Sequence, residues 1–134
     1  MNEELIQETQ MLLSFESYSG QEKEVSDYLE ILMQRLGFRD VFRDEYGSVF
    51  GFVGPKQNTT AILFDSHTDV MPVRGNWKYP PFGGEINDGK LYGRGSTDMK
   101  AFISVIISNM INLKSNFPIC LSVTHEETCN IRLR

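Results

Sequence analysis

The stretch that most constrains the fold is AILFDSHTD, at residues 61–69. Its apolar start, Ala61–Phe64, predicts a strand that is buried on both faces. Asp65, His67 and Asp69 follow at intervals of two, and residues two apart in an extended chain point to the same side. We therefore expect the three side chains to project together just beyond the carboxyl end of the strand, where open α/β sheets bind ligands. A histidine followed by such a carboxylate can bind a metal; the alternative is a loop of solvated acids.

Composition indicates one globular domain and excludes several classes of protein. A chain of 134 residues, 40% of them hydrophobic, can bury a real core, and no apolar run approaches the ~20 residues of a membrane helix. The acidic start lacks the pattern of a signal peptide, and a net charge of −5 argues against nucleic-acid binding. Two cysteines, Cys120 and Cys129, are too few for a disulfide framework, so a cytoplasmic setting is expected. Cys120 is predicted to be a small core residue.

Apolar spacing predicts helices in the first part of the chain. The first runs from residue 3 to about 17. Ser19-Gly20-Gln21-Glu22 has the spacing of a capping box and is predicted to open a second helix. That helix carries apolar residues at i, i+3, i+4 and i+7 and is predicted to stop at Gly37.

Strands and a further helix are predicted for the rest of the chain. Two strands joined by a turn are expected at 38–43 and 48–53, and a hairpin strand at 89–92. After Asp98 we expect a helix whose apolar face includes Met99, Phe102, Ile103, Ile106, Met110 and Leu113.

Two predicted strands, at 60–65 and 118–124, each end in potential metal ligands. The second is followed by Glu126 and Glu127, and Asp98 stands at the start of the helix between the strands. If the strands are parallel neighbours, these groups converge at one edge of the sheet. Histidine with carboxylates suits zinc or a related divalent ion, with one glutamate directed to the metal and one to the attacking water. Alternatively, Asp98 only caps the helix, where the dipole favours a carboxylate.

The motifs of this sequence resemble those of the M20 zinc metallopeptidases and deacylases. The matching segments, in the same order and spacing, are HTDVMP at 67–72, GRGSTDMK at 93–100 and the glutamate pair at 126–127. That family includes aminoacylases, acetylornithine and succinyl-diaminopimelate deacylases, carboxypeptidases and dipeptidases. The resemblance implies an α/β fold, the N-terminal part of a zinc-dependent exopeptidase-like catalytic domain with a mixed sheet flanked by helices. Residues 17–22 are similar to a branch of hydrolases linked to selenium metabolism.

The resemblance implies a role for each matching residue. His67 would ligate one metal, and Asp69 would be a catalytic-site residue that orients His67. Asp98 would bridge two zinc ions, with a cis peptide bond after it; cobalt or manganese could replace zinc. Glu126 would be the general base, and Glu127 would ligate the second metal. The implied reaction is hydrolysis of an amide bond in a small N-acyl amino acid or peptide.

The sequence departs from the family pattern at its end. It holds two histidines and stops at Arg134, so a later acidic ligand, a last histidine and the lid through which the family dimerises are not in it. We expect 1–134 to be a truncated catalytic domain, from a truncated or frame-shifted gene, with an unpaired sheet edge. Alone it would be a poor catalyst or none, because three protein ligands are usual for a catalytic zinc.

Two alternatives to a hydrolase stay open. One is a non-catalytic remnant that binds a metal weakly or acts only by association. The other is an unrelated α/β module that binds a small molecule and holds magnesium in its acidic loops. Zinc binding that depends on His67 and Asp98 would separate the metallopeptidase resemblance from the magnesium module.

Overall fold

A computed structural model describes residues 3–56 and 60–124. Within those residues the chain forms a mixed α/β fold, as the sequence predicts. The elements, in chain order, are α1 (Glu3–Ser14), α2 (Lys23–Arg35), β1 (Arg39–Arg43), β2 (Val49–Val53), β3 (Ile62–His67), β4 (Glu85–Asn87), β5 (Lys90–Tyr92), α3 (Lys100–Met110) and β6 (Ile119–Thr124).

Four of these strands form one mixed sheet in the order β1-β2-β6-β3. The pairs β1–β2 and β2–β6 are antiparallel, whereas β3 runs parallel to β6 with His67 opposite Thr124. The condition for convergence, that the two apolar strands are parallel neighbours, is therefore met. The hairpin of β4 and β5 is a separate two-stranded sheet, which confirms the strand predicted at 89–92.

The hydrophobic core lies between one face of the sheet and the three helices. Leu12, Leu29 and Ile103 contribute from α1, α2 and α3, and Val49 and Leu121 contribute from the sheet; all five are 0% exposed. The free Cys120 is also buried, as predicted. This packing explains why a short chain has a well-defined interior, since burying such side chains contributes roughly 1.5–3 kcal/mol each.

Helix α2 confirms the predicted stop but not the predicted start. After the C-cap Leu36, Gly37 has φ +83°, and the amide of Phe38 donates to the carbonyl of Met33 (3.0 Å), a Schellman ending. At the start, Glu22 is the N-cap and makes no capping hydrogen bond through its side chain. The capping box at Ser19 is therefore wrong: its hydroxyl bonds to a distant segment described below.

Helix α1 ends at Ser14, three residues earlier than predicted. The reason is tertiary: the carbonyl of Ser17 accepts a hydrogen bond from the amide of Val70 (2.9 Å), and the side chain of Ser17 also bonds to that segment. Residues beyond Ser14 thus bond to the segment after β3 in place of another helical turn.

The prediction that the central strand is buried on both faces is wrong. Ile62 is 48% exposed, Leu63 60% and Phe64 36%. The reason is that β3 lies at the edge of the sheet and, within residues 3–56 and 60–124, pairs with β6 alone. The strand also runs on to His67, so that Asp65 and His67 belong to it and do not follow it.

Helix α3 buries the centre of the predicted face but not all of it. Ile103, Ile106 and Met110 are buried as expected, and Ile107 joins them. Phe102, however, is 45% exposed. Leu113, 47% exposed, lies beyond the last helical residue, so the predicted apolar face was too wide and too long.

Candidate metal centre

His67 occupies the last position of β3, next to the carboxyl end of β6. Its side chain is 10% exposed, and its Nδ1 lies 3.0 Å from Oδ1 of Asp69. A carboxylate can only accept a hydrogen bond, so this contact favours the tautomer of a neutral imidazole that carries its proton on Nδ1. In that tautomer the lone pair is on Nε2, the nitrogen that faces away from Asp69.

Asp98 meets the imidazole from the opposite side. Its Oδ1 lies 3.3 Å from Nε2 of His67, and its side chain is 71% exposed. The N-cap of α3 is Met99, and no side-chain hydrogen bond caps this helix, so the alternative reading of Asp98 as a helix cap is not supported. The Asp98–Met99 peptide bond is cis, as the resemblance implied.

Asp65 does not join this group, which corrects the expectation that three polar side chains project together. It lies two residues before His67 within the strand, about 7 Å back along the extended chain. Its charge acts instead on Cys120: burial raises the pKa of the Cys120 thiol, and Asp65 raises it further. The structure thus brings together His67, Asp69 and Asp98, whose roles stay predictions; Glu126 and Glu127 lie outside the described residues.

The two donors that converge, the imidazole Nε2 of His67 and the carboxylate of Asp98, fit a divalent metal ion. Imidazole nitrogen and carboxylate oxygen are both zinc ligands, and the exposed carboxylate can reach an ion beside the buried ring. In the part of the chain that the structure describes, no cluster of three or more His, Cys, Asp or Glu residues could hold a metal. His67 and Asp98 therefore fit a metal ion as two members of a larger set of ligands.

The segment that follows α1 bonds directly to the residues around the site. The hydroxyl of Ser17 donates to the carbonyl of Thr68 (2.6 Å), and the hydroxyl of Ser19 donates to Oδ2 of Asp69 (3.1 Å). Sequence reasoning missed these contacts because it assigned Ser19 to a capping box. The Ser-x-Ser pattern itself was visible, but nothing local shows that its partner lies 50 residues away.

Lys100 is a second residue that sequence reasoning missed. It is 0% exposed, and its ammonium donates to the carbonyl of Phe15 (2.6 Å), in the segment that follows α1. Burial lowers the pKa of Lys100 to about 8. Gly95 packs against Lys100 and has φ +89°. A Cβ added at Gly95 would lie only 3.1 Å from Lys100 Cδ, a close contact that glycine avoids. The one signal for Lys100 in the sequence was its place at the end of the GRGSTDMK segment at 93–100.

A cavity of about 470 Å³ adjoins Asp98. Trp77, Tyr92 and Arg94 line it, and the guanidinium of Arg94 lies 5.0 Å from the centre of the Trp77 ring. Phe82, in the same long loop, packs edge to face on Tyr18 with ring centres 6.0 Å apart. The loop aromatics therefore have packing partners, and the cavity places open space beside the exposed carboxylate.

These features define an α/β domain with a histidine–carboxylate site at the carboxyl end of two parallel strands. The model of Peptidase family M20/M25/M40 matches residues 63–130, just over half of the chain. The chain therefore belongs to peptidase family M20/M25/M40.

Curated relatives with similar sequences include two succinyl-diaminopimelate desuccinylases. The enzyme of Roseobacter denitrificans is 34% identical over 110 residues, a match that covers 75% of this chain and 29% of the relative. The enzyme of Anaplasma marginale is 36% identical over 120 residues, covering 83% and 30%. The chain thus spans less than a third of the length of these relatives.

Solved structures share the fold. Human carnosine dipeptidase 1 matches with a TM-score of 0.83 and 23% identity, covering 98% of this chain and 34% of the dipeptidase. The M20 family metallo-carboxypeptidase Sso-CP2 from Sulfolobus solfataricus matches with a TM-score of 0.82 and 24% identity, covering 94% of this chain and 31% of the carboxypeptidase.

The described helices include none that is both long and apolar enough to cross a membrane.

Proposed function

We propose that this protein acts as a metal-dependent hydrolase of amide or peptide bonds. The observation that carries the proposal is the placement of Nε2 of His67 3.3 Å from Oδ1 of Asp98, with Asp69 on the other ring nitrogen. Membership of peptidase family M20/M25/M40 supports the same class of reaction. A bound divalent ion would polarise the scissile carbonyl and lower the pKa of a water molecule.

The residues of this chain would divide the work as follows. His67 and Asp98 would hold metal, Asp98 as a ligand shared by two zinc ions, and Asp69 would orient the His67 ring. Glu127 supplies a further ligand. Glu126 accepts the proton of the attacking water and passes it to the leaving amine, which requires a carboxyl pKa tuned to that task. Zinc is the proposed metal because of the imidazole and carboxylate donors, with cobalt or manganese as substitutes.

The proposed substrates are small N-acyl amino acids or peptides. The names of the relatives, desuccinylases and peptidases, support this class. The cavity beside Asp98 provides space for a substrate group, with aromatic and cationic side chains in its wall. We propose that residues 1–134 are the N-terminal part of the catalytic domain, in a cytoplasmic setting with no nucleic-acid or membrane partner.

A non-catalytic remnant is the second candidate. The observation that favours it is the number of donors that converge among the described residues, His67 and Asp98. Two described donors are fewer than the three protein ligands usual at a catalytic zinc. Such a chain would bind metal without turning over a substrate.

Turnover separates the two candidates. The purified chain would be incubated with zinc, cobalt or manganese and a panel of N-succinyl, N-acetyl and dipeptide substrates, and the released amine would be measured. Because the chain alone is expected to be a poor catalyst, the hydrolase proposal expects slow turnover that chelation abolishes and that is lost in both Glu126→Gln and His67→Ala. Metal binding without any turnover would favour the remnant. Turnover that survives chelation, or that is unchanged in His67→Ala, would contradict the proposed site.

A further inference from the structure

We propose that Ser17 and Ser19 are positioning residues for His67, acting through Asp69. The inference rests on the proposed function for its purpose, since an oriented imidazole serves a metal, but its geometry stands on described contacts alone. The segment that carries both serines, residues 15–19, is called the site-facing segment below. Residues 15–17 were predicted to end the first helix and Ser19 to begin the capping box of α2, whereas the segment bonds to the residues after β3.

Ser17 holds the backbone on both sides of Asp69. The carbonyl of Thr68 accepts from Ser17 Oγ at 2.6 Å, and the amide of Val70 donates to the carbonyl of Ser17 at 2.9 Å. These two groups belong to the peptide units on either side of Asp69. A single residue of the site-facing segment therefore fixes both peptide planes that determine the backbone conformation of Asp69. Both contacts are buried or nearly so, since Thr68 and Ser17 are each 1% exposed.

Ser19 holds the side-chain carboxylate of Asp69. Oδ1 of Asp69 faces Nδ1 of His67 at 3.0 Å, and Oδ2 accepts from the Ser19 hydroxyl at 3.1 Å. With one oxygen on each partner, the plane of the carboxylate is set by two contacts. A hydrogen bond to a charged acceptor is stronger than one between neutral groups. The serine thus limits rotation of the carboxylate away from the ring.

The contact with Asp69 also favours one tautomer of the His67 imidazole. A neutral imidazole can place its proton on either nitrogen, and a carboxylate faces each one: Asp69 Oδ1 lies 3.0 Å from Nδ1, and the more exposed Asp98 lies 3.3 Å from Nε2. Partners that orient a ligating histidine in this way typically change metal affinity by about 10- to 100-fold when they are removed. Loosening Asp69 should therefore release the proton of His67 to Nε2, the nitrogen that faces Asp98.

The site-facing segment also connects the two halves of the site. The ammonium of the fully buried Lys100 donates to the carbonyl of Phe15, and Lys100 lies two residues after Asp98. The segment is thereby bonded at Phe15 to the residues around Asp98 and at Ser17 and Ser19 to the residues around His67. A shift of this segment would change the distance between the two donors.

Nitrogen NMR of the histidine side chains tests the proposal without any metal. The chain labelled with 15N is studied at a fixed pH at which the imidazoles are neutral, and His125→Gln identifies the signals of His67. We expect His67 in the unsubstituted chain to carry its proton mainly on Nδ1. In Ser17→Ala and Ser19→Ala the population with the proton on Nε2 should rise, and Ser19→Thr, which keeps the hydroxyl, should restore the original ratio.

Ser104→Ala is the matched control. Ser104 is 3% exposed and bonds to Thr9 at 2.6 Å, far along the chain from His67, so its loss removes a buried hydroxyl without touching the site. Its tautomer ratio should equal that of the unsubstituted chain. Because Ser19 is exposed, Ser19→Ala should fold normally even if Ser17→Ala does not.

The proposal would be overturned if Ser17→Ala and Ser19→Ala both fold and both keep the tautomer ratio of the unsubstituted chain. If only Ser19→Ala folds, an unchanged ratio in that variant would overturn the proposal by itself. A parallel zinc titration is expected to give about tenfold weaker binding in Ser17→Ala, and no change in Ser104→Ala. If the tautomer responds but no variant or parent binds zinc, the positioning role stands and the proposed function fails. The two failures are thus distinguishable.

Discussion

At the scale of the residue, the site depends on an imidazole whose two nitrogens face different partners. Asp69 faces Nδ1 of His67, and Asp98 faces Nε2. The sequence suggested this arrangement because a carboxylate two residues after a histidine in an extended chain falls on the same side. It could not suggest Ser17, because the contact with Thr68 spans 51 residues and exists only once α1 and β3 are packed.

Asp69→Ala should weaken zinc binding by about 10- to 100-fold, because the acceptor that orients His67 is lost. Asp65→Ala is the matched control: it removes an equally charged group two residues before His67 in the same strand, and it should leave zinc affinity unchanged. Isothermal titration of both variants measures the difference. Equal affinities for the two variants would contradict the role of Asp69.

The raised pKa of Tyr28 predicts that the stability of the fold depends on pH in the alkaline range. Burial, together with its hydrogen bond to Glu8, raises the pKa of the Tyr28 hydroxyl from 10.0 to about 12. Between these values the unfolded chain loses the proton and the folded chain keeps it, so stability due to Tyr28 is present below pH 10 and is lost as the pH rises toward 12. The free energy of unfolding of Tyr28→Phe should therefore differ from that of the parent most below pH 10, and the difference should shrink toward pH 12 in urea titrations. A constant difference across this range would contradict the shift.

At the scale of the element, the sequence predicted what depends on local spacing. Helix α2 has the predicted apolar stripe and the predicted glycine stop, because both arise within one continuous segment. The extent of the buried face of α3 and the exposure of β3 were predicted wrongly, because they depend on which neighbours the sheet provides. A run of apolar residues such as Ile62–Phe64 has the same pattern at an edge as at the centre of a sheet.

Leu29→Ala should destabilise the fold by about 2–5 kcal/mol, because Leu29 is 0% exposed and its removal leaves a cavity between α2 and the sheet. Ile31→Ala, in the same helix but 63% exposed, should change stability by no more than about 0.5 kcal/mol. Chemical denaturation of both variants measures the free energy of unfolding. Equal losses would contradict the orientation of α2.

At the scale of the whole molecule, the sheet has an apolar edge. Leu63 is 60% exposed on β3, whose described pairing is with β6 alone. Exposed apolar edge strands favour association between sheets, and a lysine at the edge opposes it. The prediction of an unpaired edge, made from the length of the resemblance, stays a prediction.

Leu63→Lys should therefore reduce self-association of the purified chain. Tyr46→Lys is the control, because Tyr46 is 71% exposed in the turn between β1 and β2, away from the β3 edge. Sedimentation velocity over a range of concentrations compares the two variants with the parent. Association that falls equally in both variants would mean that added charge, and not the edge, is responsible.

The most direct test of the central claim is a titration of the chain with zinc, followed by calorimetry, in the parent, His67→Ala and Asp98→Ala. The account predicts saturable binding in the parent that is lost or strongly weakened in both variants, because the two residues supply donors at the same place. Binding that is indifferent to His67, or a preference for magnesium over zinc, would contradict a metallopeptidase centre at this edge of the sheet.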